Sequence, residues 1–148
     1  GSALDGIGVP PVLDAAAWYL PSPADKPPVT GTAIVKKKET TETRKPDPKE
    51  PFCGLVFKVI PAKTGDLSWI RVYSGELKAN SRVYNPGKDK KENVAQLWRM
   101  QAARREQVEA VETGDIVGLI GLRNSVTAIH FATPSTRFCW RASNSPRL

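Results

Sequence analysis

A single histidine and two cysteines leave little from which to build a metal centre or a covalent catalyst. His130, Cys53 and Cys139 form no CxxC pair, which excludes the usual ligand sets of structural zinc. The cysteines sit in unlike surroundings, as expected of a reducing compartment. No run of about eighteen apolar residues exists, so no segment has the make-up of a membrane-spanning helix. The opening GSALDGIGVPPVLDAAAWYL lacks the basic stretch and cleavage site of a secretory signal, and a cytoplasmic location is expected. Gly1 and Ser2, with no initiating Met, suggest an expression scar or a fragment cut from something longer.

Catalytic constellations are also lacking. A Ser/His/Asp or Cys/His arrangement would have to be built on His130, near the end of the chain. The pair Gly87-Lys88 in NPGKDKK invites comparison with a phosphate-binding loop. That loop needs a glycine five residues earlier and a Ser or Thr next, and Arg82 and Asp89 stand there instead. The segment is expected to be a charged hairpin turn. No catalytic residue, cofactor site or metal site is expected in this chain. One further absence is local: residues 128–148 contain no Lys, Asp or Glu, although charge is common upstream.

What is present fits one compact domain with length to spare, since the chain has 148 residues. The net charge of +7 includes three arginines of the unusual tail (Arg137, Arg141, Arg147), and without them the excess is only +4. That balance is compatible with nucleic acid without requiring it.

Along the chain, residues 10–21 place Val12, Ala15, Ala16, Tyr19 and Leu20 on one helical face. Pro11 fits the first turn and Pro21 ends the helix. So short a helix needs a body to dock on. Residues 29–50 are rich in Pro, Thr and charge and are expected to be a linker, with at most one short strand around Val29, Ile34 and Val35.

From Phe52 the period changes to two. FCGLVFKVI has the continuous apolar character of a strand buried on both faces. LSWIRVYSG sets Leu67, Trp69 and Tyr73 against Ile70 and Val72. SRVYNPGKDKKENVAQLWRM predicts strand, turn and strand, with Val94, Gln96 and Trp98 alternating after the turn. GDIVGLIGL supplies a turn at Gly114 and Asp115 and a last apolar strand. The fold class expected is all-β, an antiparallel β-barrel preceded by a short helix and a charged linker.

Lys88, Lys90 and Lys91 cluster on the expected turn, with Arg99, Arg104 and Arg105 on the next strand and loop. Two such connections offer cations to a phosphate backbone, though Asp89, Glu92 and Glu106 are interleaved among them. Trp69 and Trp98 are expected in the core rather than as stacking platforms.

These segments carry a family likeness. PPVLDAAAWYLPSPADKPPV resembles the last helix of the GTPase domain of bacterial elongation factor G and the turn that leaves it. EPFCGLVFKVI, GDLSWIRVYSGELKANSRVYN and KKENVAQLWRMQAARREQVEAVETGDIVGLIGL resemble that factor's second domain. Its most recognisable pieces are Arg71, Val72, Tyr73, Ser74 and Gly75, with Gly114 and Asp115 before Ile116. The resemblance implies a β-barrel of the translation-factor domain II type that packs on the GTPase domain and lies on small-subunit ribosomal RNA during translocation. GTP and Mg would belong to the parent protein, and this chain would be a monomeric, non-enzymatic binding module. A paralogue of elongation factor G, a ribosome-protection GTPase, or a non-functional frameshifted product are the alternatives.

The likeness implies a division into 1–28 (end of the GTPase domain), 29–50 (linker), 51–127 (barrel) and 128–148 (tail). In the family the closing strand is followed by Thr-Gly-Asp-Thr-Leu-Cys-Asp, and this chain departs from that pattern at Thr127. Restoring one G after the Thr127 codon regroups the fixed bases of residues 128–133 to permit Gly-Asp-Thr-Leu-Cys-Asp. The same frame permits Ile-Leu-Leu-Glu from Arg137 to Trp140 and Phe-Pro-Glu-Pro from Asn144 to Leu148. The tail is therefore expected to be an out-of-frame translation. Barrel closure must then use AIHFATPST as a substitute or leave a strand edge unpaired.

Overall fold

The computed structural model describes residues 1–35, 38–61, 65–101, 104–122, 129–133 and 138–140. The amino-terminal helix α1 (Val9–Tyr19) carries two prolines at its start and stops one residue before the β-conformation of Leu20, as the flanking prolines require. None of its residues is buried; Trp18 is 78% and Tyr19 81% exposed. A 3-10 turn at Pro23–Asp25 follows, closed by a capping box between Ser22 and Asp25.

The stretch expected to be a linker is an antiparallel hairpin. Strand β1 (Val29–Val35) pairs along its whole length with β2 (Lys38–Arg44). Threonine supplies much of this pairing, with Thr30 opposite Thr43 and Thr32 opposite Thr41. Branched side chains with a hydroxyl favour extended backbone and cross-strand contact without an apolar run to betray the strand.

The barrel strands are β3 (Cys53–Ile60), β4 (Leu67–Ser74), β5 (Glu76–Lys78), β6 (Ser81–Asn85), β7 (Lys90–Val94), β8 (Gln96–Gln101), β9 (Arg104–Val108), β10 (Ala110–Glu112) and β11 (Ile116–Ile120). Two more lie in the tail, β12 (Ile129–Ala132) and β13 (Phe138–Trp140). Among the described residues, eight strands form one antiparallel sheet in the order β7-β6-β12-β3-β4-β11-β8-β9. Strands β10 and β5 make a second small sheet, and β13-β1-β2 a third.

One residue shows why the large sheet must curl. Strands β7 and β8 stand six positions apart in the sheet order, yet only Ala95 separates them in the chain. Two residue steps span at most about 7 Å, so the sheet folds round until these ends meet. The amide of Ala95 donates to the carbonyl of Ile120 on β11 at 2.9 Å, which fixes the junction. The all-β barrel expected from the turn spacing is the observed architecture.

Strand β4 alternates along its length, with Ser68, Ile70, Val72 and Ser74 buried and their neighbours half-buried. The core is Phe52, Val56, Ile70, Val72, Leu77, Val83, Val94, Leu97, Val111, Val117, Leu119, Leu122 and Phe131. At about 25 cal/mol per Å² of apolar surface removed from water, this cluster is the main force holding the sheet curled.

Three further expectations need correction. FCGLVFKVI is not buried throughout: a register shift between Val56 and Lys58 breaks the alternation, and Phe57 and Ile60 are exposed. Val94, Gln96 and Trp98 do not share a strand, because the chain turns at Ala95. Neither Trp69 nor Trp98 belongs to the core; both are half-buried and pair across Gly118 of β11, one on each side.

The tail finds a place in the sheet. Strand β12 pairs with β3 over four residues and meets β6 where Ala132 faces Tyr84. Phe131 is fully buried, and the Thr133 amide donates to the Phe52 carbonyl at 3.2 Å. Residues 129–132 therefore pair into the large sheet.

Candidate nucleic-acid interface

The lysine group rests on the turn between β6 and β7. Asn85 and Glu92 are both buried, and the Asn85 side-chain amide donates to the Glu92 carboxylate at 2.7 Å. The Asn85 side-chain oxygen accepts from the backbone amide of Lys88 at 3.2 Å, and the Tyr84 hydroxyl donates to Asp89 at 2.6 Å. Asp89 has φ 49°, a left-handed conformation that aspartate tolerates better than most residues and that closes the turn. Lys88, Lys90 and Lys91 stand exposed on this frame. The two acids interleaved with them in sequence, Asp89 and Glu92, accept from Tyr84 and Asn85.

The arginine group rests on the hairpin of β8 and β9. Arg99 pairs in register with Glu106, Met100 with Arg105, and Gln101 with Arg104. Arg104 and Arg105 are exposed on the sheet's outermost strand. Arg99 is half-buried and lies 3.5 Å from the Asp115 carboxylate, so part of its charge is spent on the turn before β11. An ion pair this exposed contributes at most about 1 kcal/mol.

The two groups occupy separate hairpins joined at Ala95. Lys90 lies at the start of β7, five residues before that junction, or about 16 Å at strand rise. Gln101 ends β8 a similar length beyond it. Sequence reasoning placed both groups but missed what lies beside the second. Trp98, Met100, Leu67 and Arg105 line one shallow depression with Gln96 and Ile120, so a cation stands beside an aromatic and a thioether. Period-two alternation gave a signal for this, since Trp98 and Met100 fall on one face of β8.

The remaining motif residues bond to one another and to the segment before β3. Gly114 donates to the Val72 carbonyl at 2.8 Å, and Val72 donates to the Asp115 carbonyl at 3.0 Å. The Thr113 hydroxyl donates to the Tyr73 carbonyl at 2.9 Å and Ser74 Oγ to the Pro51 carbonyl at 2.8 Å. Gly75 has φ +73°, and its amide donates to the Asp47 carbonyl at 2.9 Å. Arg71 lies over the Tyr73 ring, 5.5 Å from its centroid.

Comparison with known proteins finds relatives of the chain. The family described as elongation factor Tu domain 2 matches residues 65–128. Over 127 residues the chain is 46% identical to elongation factor G 2 of Syntrophus aciditrophicus (strain SB), an alignment covering 86% of this chain and 18% of that protein. It is 44% identical over 128 residues to elongation factor G 2 of Desulfotalea psychrophila (strain LSv54 / DSM 12343), again 86% of this chain and 18% of the relative. The chain thus spans less than a fifth of the length of these relatives.

Proposed function

We propose that this chain, similar to elongation factor G over 86% of its length and with a β-barrel that matches elongation factor Tu domain 2, is a binding module for small-subunit ribosomal RNA. The observation that carries the reading is the lysine turn. Its buried Asn85–Glu92 contact and its Tyr84–Asp89 bond hold three exposed ammonium groups on a rigid hairpin. The turn's backbone is ordered before contact, and each phosphate its lysines neutralise releases counterions. Arg105, beside Trp98 and Met100, and Arg104, beside Gln101 and Glu106, provide a second contact of the same chemistry.

In the parent protein this module would serve translocation by a translational GTPase in the cytoplasm, with GTP and Mg held by the GTPase domain. The present chain would contribute no catalysis. Residues 1–28 would be the end of that GTPase domain, and the exposed Val12, Leu13, Trp18 and Tyr19 of α1 support this because a free-standing helix does not keep such a surface in water. No helix among the described residues is long and apolar enough to cross a membrane.

The test is cosedimentation of the 148-residue chain with purified ribosomal subunits. Salt-sensitive binding to small subunits, with little to large ones, is expected. Equal binding to both subunits would reduce the reading to general polyanion affinity, and none would remove it.

We further infer that residues 128–148 are an out-of-frame translation. The composition break at 128 and the end of the family match at the same residue support it. Sequencing the encoding DNA across codons 126–133, in the source genome and in the expressed gene, tests it. Codons that fail to regroup into Gly-Asp-Thr-Leu-Cys-Asp would contradict it.

A further inference from the structure

Between the hairpin β1–β2 and the face of β4 lies a cleft of about 720 Å³, in the size range of small-molecule sites (about 300–1,000 Å³). It is remote in sequence from both the lysine turn and the arginine hairpin. Among the described residues, three cationic side chains line it, Lys26, Arg44 and Arg71, and no acidic one does. Arg44 is partly neutralised, since Glu42 and Glu50 lie on its guanidinium from outside the lining.

Arg71 differs. Its Nε is buried and has no hydrogen-bond partner among the described residues. A buried N–H donor with no acceptor is costly, so a ligand that supplies an acceptor there gains by it. Stacking over Tyr73 holds the plane of the guanidinium but supplies no acceptor for that N–H. The rest of the wall mixes proline and valine surface (Pro27, Pro28, Val29, Val72) with the hydroxyl-bearing Thr32 and Thr41.

We propose that this cleft binds a small molecule carrying an oxyanion, phosphate or carboxylate, on a partly apolar body. The oxyanion accepts from Arg71, with Lys26 adding charge at the opening segment, and the apolar body lies on the proline and valine wall. A planar guanidinium offers the paired donors such a head group takes.

The experiment titrates the 148-residue chain, labelled with ¹⁵N, with phenyl phosphate, phenylacetate and uncharged benzyl alcohol. The readouts are the Arg71 Nε–H resonance and the amides of Gly31, Val72 and Gly114. Both anions should shift these signals saturably, and benzyl alcohol should bind at least ~10-fold more weakly, the loss expected for one charged hydrogen bond. The tighter anion identifies the head group. Arg71→Met should abolish the difference between anion and alcohol while leaving the spectrum dispersed. Should that variant fail to fold, Lys26→Met must weaken anion binding and leave benzyl alcohol unchanged. Equal binding of charged and uncharged probes, no saturable shift at these amides, or anion binding unchanged in the variants would overturn the proposal.

Discussion

The backbone amide of Gly114 donates to the carbonyl of Val72 at 2.8 Å, joining two short motifs forty-odd residues apart. Val72 returns the contact through Asp115, so the two segments continue the β4–β11 pairing beyond the Arg71–Ile116 pair. This arrangement needs glycine. Gly114 has φ +94°, and a methyl group there would meet Pro23 at 2.8 Å. Gly75, at the other end of the motif, has φ +73° and would drive a methyl into the Glu50 carbonyl and the Phe52 amide. Gly75→Ala should therefore cost more than about 2 kcal/mol, and Gly114→Ala less, because a proline ring edge yields more easily than backbone. Urea denaturation of both variants checks the order.

The tail strand carries weight because Phe131 is fully buried in the core. Phe131→Ala should destabilise by about 3–5 kcal/mol. A loss under about 1 kcal/mol in urea unfolding would mean that β12 does not pack as a core strand.

The lysine turn should depend on its buried polar pair. Asn85→Ala leaves the Glu92 carboxylate without the 2.7 Å amide contact and should cost about 1–3 kcal/mol. Tyr84→Phe removes one hydroxyl bond to Asp89 and should cost about 0.5–1.5 kcal/mol. Amide hydrogen exchange at Lys88 should accelerate in the first variant, since Asn85 also accepts from that amide.

Much of the barrel was legible in sequence because one-sided burial writes itself as alternation, as in Ser68, Ile70, Val72 and Ser74. The hairpin at 29–44 was not, because Thr30, Thr32, Thr41 and Thr43 pair without apolar character. The break at Ala95 was invisible for another reason. Nothing in VAQLW marks a turn, and the partner that fixes it, Ile120, is distant in the chain. The outward placement of the tryptophans likewise depends on a cross-strand neighbour, Gly118, which local pattern cannot supply. Of the candidate site, the six cations were legible as residue types. Their division between two hairpins, the engagement of Arg99 with Asp115 and the position of Arg71 in a cleft were tertiary facts.

Burial lowers the pKa of His130 below its ordinary value of 6.5, because desolvation penalises the imidazolium. The folded chain then holds fewer protons than the unfolded chain once pH drops below that value. Stability should be unaffected by this group above pH 6.5, fall as pH is lowered through the window down to the depressed folded pKa, and level off beneath it. The difference in urea midpoint between the parent chain and His130→Phe, followed from neutral to acid pH, isolates this contribution.

The measurement that bears most directly on RNA binding is the salt dependence of affinity for small ribosomal subunits, made on three proteins. These are the parent chain, Lys88→Gln/Lys90→Gln/Lys91→Gln, and Arg104→Gln/Arg105→Gln. Each lost phosphate contact should reduce the slope of log affinity against log salt by about 0.7–0.9. A shallower slope and weaker binding in both variants, the lysine set more affected, is the predicted result. Unchanged slope and affinity in both, with folding intact, would contradict the assignment of these hairpins to RNA.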